Sequence, residues 1–192
     1  MSKFAVIFLS VFTFLNALNT NSFGQAIPEV VIPKATLEFF KGTAKPDAEF
    51  ASMVFVGHRY FYNVDQQNKD GSVRLAVRLK VVPDSTSSYF DQSRVEEPYV
   101  AYLLNHEQGH INIGYIIGNM LRSALNLTIY SSNYKEEIKT NFNKFYSKFD
   151  KLQQQYDEET NHSQNKTAQA LWDEKIRLLL IETSKADFKQ EI

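Results

Sequence analysis

The hydrophobic period changes along this chain, and that change sets its fold class. From Val73 to Val82 the sequence VRLAVRLKVV alternates, with Val73, Leu75, Val77, Leu79 and Val81 on one side and Arg74, Ala76, Arg78 and Lys80 on the other. A period of two belongs to a strand with one face in water, and so to an antiparallel sheet. The preceding stretch SMVFVGHRYFYNV is rich in β-branched and aromatic residues, which favour strands. Asp70–Gly71, between the two runs, is a hairpin-turn signal. From Pro98 onward the period becomes helical. Pro98 suits a first helical turn, where its missing N–H costs nothing. The pattern predicts a helix over about 98–125, with Leu103, Ile113, Ile117, Met120 and Leu121 inward. A second is expected over about 133–160, where Tyr134, Ile138, Phe142, Phe145, Phe149, Leu152 and Tyr156 form one seam. A third follows over about 167–183, with Ala168, Leu171, Trp172, Ile176 and Leu179 inward. Strands first and helices after predict an α+β domain: an N-terminal antiparallel sheet or hairpin, then three helices.

The N-terminus reads as an address rather than as part of that fold. Lys3 precedes the apolar run FAVIFLSVFTFL, and small residues follow at Gly24 and Ala26. This is the pattern of a cleaved secretory signal over 1–26, leaving a single domain over 27–192. The run is short of the ~20 apolar residues of a membrane span, so no span is expected in the mature chain. Export to the periplasm or the medium is the expectation. The chain has no cysteine, so thiolate metal sites and thiol catalysis are excluded, and any metal must be held by His, Asp or Glu. Twenty-one basic residues against twenty-two acidic ones argue against nucleic acid as a partner.

The chemistry concentrates in LLNHEQGH, residues 103–110, on the first predicted helix. Residues four apart share a helix face, so His106 and His110 can aim two imidazoles at one point. Zinc accepts such nitrogens, and catalytic zinc commonly has three protein ligands and an open position. Glu107 lies about 100° round the helix, where its carboxylate can act on a water without holding the metal. This HExxH arrangement makes Glu107 the candidate general base of a zinc-dependent hydrolase. The third ligand is open. A further histidine six residues beyond His110 is excluded, since Ile116 stands there. His58 fits better as a sheet residue. Glu136 and Glu137 open the second helix, where acidic residues are favoured in any case. Asp157 and His162 lie near the polar break TNHSQN, which a helix returning antiparallel to the first would bring toward the site.

LLNHEQGH, followed some fifty residues later by YDEETNHS and then by Trp172, resembles a bacterial family of predicted secreted zinc-dependent proteases, a domain family of unknown function. The resemblance implies a zincin-like active-site helix and a second motif, Tyr-Asp-x-x-Thr-x-His-Gly. Here that motif falls on Tyr156, Asp157, Thr160 and His162, and it implies His162 as third zinc ligand. Ser163 stands where the motif has glycine, and Asn112 and Tyr115 stand where relatives are often acidic. Asp157 is then a candidate acceptor for a ligand imidazole N–H. Tyr156 has two readings, an oxyanion donor or the end of the aromatic seam, and Trp172 reads as core. No nucleophile elbow, phosphate loop or dinucleotide fingerprint occurs. The expected activity is zinc-dependent cleavage of a peptide or protein substrate. The alternative is a non-catalytic envelope binding protein on a degenerate metalloprotease fold.

Overall fold

A computed structural model of the chain describes residues 31–185. The expected export signal over 1–26 and the first residues of the 27–192 domain lie outside the described residues. The elements run β1 (Ser52–Met53), β2 (Val56–Gln67), β3 (Val73–Pro83), β4 (Tyr89–Phe90), a short 3-10 turn (Gln92–Arg94), α1 (Glu97–Leu127), β5 (Ile129–Tyr130), α2 (Tyr134–Phe149), α3 (Lys151–Thr160) and α4 (Lys166–Ser184). The α+β class and the order of sheet before helices are as the periodicity predicts.

β2 and β3 form the long hairpin, antiparallel, with His58 opposite Val81 and Tyr60 opposite Leu79. The turn closes at Gly71, whose φ of 84° lies in the left-handed region that glycine adopts without cost. β5 adds a short strand beyond β3, and β1 pairs with β4 in a separate two-stranded sheet. Val73, Leu75 and Val77 are buried on the inner face of β3, and α1 lies across them. The helix comes unusually close. A Cβ at Gly114 would stand 2.5 Å from Val56 Cγ1, and one at Gly118 would stand 2.5 Å from Val81 Cγ2. Two glycines one turn apart therefore set the helix-to-sheet distance.

Behind α1, the seam of α2 buries Ile138, Phe142, Phe145 and Phe149. Each such side chain removed from water contributes ~1.5–3 kcal/mol before entropy is counted. The seam runs into α3 as expected, but the middle helical run is divided at Asp150. Neither proline nor glycine marks the division. Asp150 keeps helical angles, φ −61° and ψ −20°, and donates its N–H to the Tyr146 carbonyl at 2.8 Å. On α4, Trp172 and Ile176 are buried as predicted, whereas Leu171 is 71 % exposed and Gln169 is 1 % exposed. Gln169 shares the stripe of Trp172, Ile176 and Thr183, and its burial has a reason in the site. Among the described residues no helix is long and apolar enough to cross a membrane.

Candidate metal centre

His106, Glu107, Gly109 and His110 lie in the first half of α1, and all but His110 are buried outright. The two imidazoles are perpendicular, with centroids 4.9 Å apart. Their Nε2 atoms converge on Asp157 of α3, at 3.2 Å from His106 and 2.9 Å from His110 to the same Oδ1. Their Nδ1 atoms face away, each toward a carboxamide. His106 Nδ1 donates to Gln169 Oε1 at 3.0 Å, and His110 Nδ1 donates to Gln153 Oε1 at 2.7 Å. Gln153 Nε2 in turn donates to the His110 carbonyl at 3.0 Å. Both Nε2 lone pairs are thereby turned inward, as outer partners do for metal-ligating histidines.

Two imidazole nitrogens and a carboxylate oxygen facing one another could hold a cation between them. His106, His110 and Asp157 present their ligand atoms within 4.8 Å of one another and form a possible metal-binding group. With protons alone, burial pulls the His110 imidazole down. The hydrogen bond and charge of Asp157, with smaller contributions from Glu107 and Gln153, outweigh that and carry it up to about 9. Burial raises the Asp157 carboxyl, but hydrogen bonds and charge from His106 and His110 win and hold it well below the usual range. His110 and Asp157 are thus arranged as an ion pair.

Glu107 is 4 % exposed. Its Oε1 accepts from Ser52 Oγ of β1 at 2.5 Å, while its Oε2 has no hydrogen-bond partner. A buried carboxylate with one oxygen fixed and the other free is costly unless something comes to it.

Tyr156 links the helices. Its ring stacks on His106 at 4.7 Å, its hydroxyl donates to the His106 carbonyl at 3.1 Å, and Gln169 Nε2 donates to it at 2.7 Å. A hydroxyl so engaged closes the aromatic seam and is not turned toward a substrate. Gly109 makes this contact possible, since a Cβ there would lie 2.2 Å from Tyr156 Oη. Trp172 is core, and its Nε1 donates to Glu159 at 2.8 Å.

His162 sits in the turn between α3 and α4. Its Nδ1 is 3.6 Å from Asp157 Oδ1, and its half-exposed ring stands 4.5 Å from Phe50. Asn161, His162 and Ser163 have φ of 48°, 49° and 75°, three left-handed residues in succession. His58 does not join the cluster. Its Nε2 donates to the Gly114 carbonyl at 2.7 Å, which ties β2 to α1. Glu137 accepts from Ser131 N at 2.8 Å at the start of α2, and Glu136 is exposed beside Tyr60 and Tyr62.

The site is therefore that of an α+β protein with an HExxH helix and a His–His–Asp cluster. The chain belongs to a bacterial family of unknown function: the model described as "Bacterial protein of unknown function (DUF922)" matches residues 58–163. The match takes in both motifs, from His58 to just past His162. No curated protein and no solved structure matches the chain.

Proposed function

We propose that the protein is an exported zinc-dependent peptidase. The reading is carried by the convergence of His106 Nε2 and His110 Nε2 on one point, beside the unpartnered Oε2 of buried Glu107. The donor set of imidazole and carboxylate without thiolate suits zinc. His106, His110 and Asp157 would hold it and leave a coordination position open. His162, the ligand implied by the second motif, stands next to Asp157 as the alternative third donor. When bound, the metal supplies an acidified water and polarises the scissile carbonyl. The rest is work for this chain's own groups. Ser52 fixes Glu107 through Oε1, so that Oε2 is the atom that takes the proton and returns it to the leaving nitrogen. Gln169 and Gln153 keep both imidazoles in the tautomer that offers Nε2. Export rests on Lys3 and the apolar run behind it.

The decisive variant is Glu107→Gln. It should keep near-stoichiometric zinc and lose peptide hydrolysis by at least ~100-fold, the usual scale for a lost general base. Hydrolysis that survives in this variant removes Glu107 from the mechanism. Zinc that fails to bind the parent chain removes the metal centre altogether. Full zinc with no cleavage by the parent across a broad peptide library assigns the fold to binding instead. Chelator competition with Asp157→Ala and His162→Ala identifies the third ligand, and the greater loss is expected for Asp157.

A further inference from the structure

The outer face of the β2–β3 hairpin takes no part in the metal centre. Strand alternation places Arg59 and Phe61 outward on β2, and Arg74, Arg78 and Lys80 outward on β3, all of them exposed. The register sets Arg59 directly opposite Lys80 and Phe61 opposite Arg78. Ile129 of β5 faces Arg74 and is 63 % exposed, and Phe61 is 49 % exposed. None of the four cations forms an ion pair among the described residues. The acids on this hairpin are Asp65, at the β2 bulge, and Asp70, in the turn. Like charges directly opposite on two strands weaken the pairing, so the Arg59–Lys80 pair is a cost the fold alone does not explain.

We propose that this face docks the protein on an anionic membrane surface. Clustered Lys and Arg are attracted to anionic headgroups, and exposed Phe and Ile beside them can enter the headgroup boundary. The chain carries a net charge of −1, so with four cations on this face the remainder is acidic. A planar bilayer needs one cationic face only, whereas a nucleic-acid binder usually shows a basic excess that this chain lacks. Phe61 lies among the cations and Ile129 lies at the β5 edge beside Arg74, so aromatic and aliphatic side chains both stand ready to enter a headgroup boundary. The inference is independent of whether the metal centre is catalytic.

The test is sedimentation of the full chain with phosphatidylcholine vesicles and with mixed phosphatidylglycerol–phosphatidylcholine vesicles. Any uptake through the apolar N-terminal segment appears with both vesicles, so the readout is the ratio between them. The parent should favour anionic vesicles by roughly tenfold or more at low salt, and this preference should fade at ~0.5 M salt. The pair Arg59→Gln and Arg78→Gln, with melting unchanged, should bring the ratio close to one. Phe61→Ser should lower binding to anionic vesicles while leaving its salt dependence in place. A parent without preference for anionic vesicles overturns the proposal, as does a ratio that the paired variant leaves unchanged. Tighter binding to duplex DNA than to anionic vesicles reassigns the face to nucleic acid.

Discussion

Gly109 shows how much one position inside HEQGH decides. The Tyr156 ring lies where a Gly109 side chain would be, and its hydroxyl is held between the His106 carbonyl and Gln169. Tyr156 is fully buried, so it has nowhere to retreat. Gly109→Ala gains helix propensity, yet overpacking outweighs the gain, and a net loss of about 2 kcal/mol is expected in urea unfolding. Ser163 runs the other way. Its φ of 75° is one that a side chain disfavours. Ser163→Gly should therefore stabilise by about 0.5–1 kcal/mol in the same assay, and an unfolding midpoint no higher than the parent's refutes the strain argument. At this scale His106, Glu107 and His110 are legible from sequence, because a helix converts their spacing directly into geometry. Gln153 and Gln169 are not, because their partners are forty-three and sixty-three residues away. The signal for Gln169 is a polar residue in register with Trp172 and Ile176, which an assignment by hydropathy passes over in favour of Leu171.

Elements carry that geometry to Glu107. The turn after β3 is built on Asp84, whose carboxylate accepts from Thr86 N at 2.9 Å, Thr86 Oγ1 at 2.6 Å and Ser87 Oγ at 2.7 Å. It delivers buried Ser88, which accepts from Phe55 N at 2.9 Å, and then β4, which pairs with β1 and so places Ser52 against Glu107. Those hydroxyls, led by Thr86 and Ser87, lower the Asp84 carboxyl from 3.8 to about 2. A group lowered on folding contributes stability above its unfolded value and loses it as pH falls through the folded one. Thermal melting should therefore fall between pH 3.8 and about 2, and Asp84→Asn should flatten that part of the profile. An identical acid limb in the variant would place the titration elsewhere. The long hairpin and the helical runs are readable in sequence because each repeats its period many times. β1, β4 and β5 have two residues each, too few for a period, and exist through partners distant in sequence. The division at Asp150 has no breaker residue to announce it.

For the whole molecule, the centre joins elements that the sheet does not hold together. His106 and His110 come from α1, Asp157 and Gln153 from α3, Gln169 from α4, and Ser52 from β1. A cation bound there ties α1 to α3 only when the chain is folded, so its binding energy becomes folding energy. At zinc a hundredfold above Kd the gain is about 2.7 kcal/mol, which for a domain of this size raises Tm by roughly 5–10 °C. His110→Ala should abolish the shift, whereas Glu107→Gln should keep it, because the group that could hold the metal is His106, His110 and Asp157. The two variants together separate stabilisation from chemistry. A shift that survives in His110→Ala puts the zinc somewhere other than this helix. A shift lost in Glu107→Gln makes the glutamate a ligand, and the division of labour between His106, Glu107 and His110 would have to be redrawn.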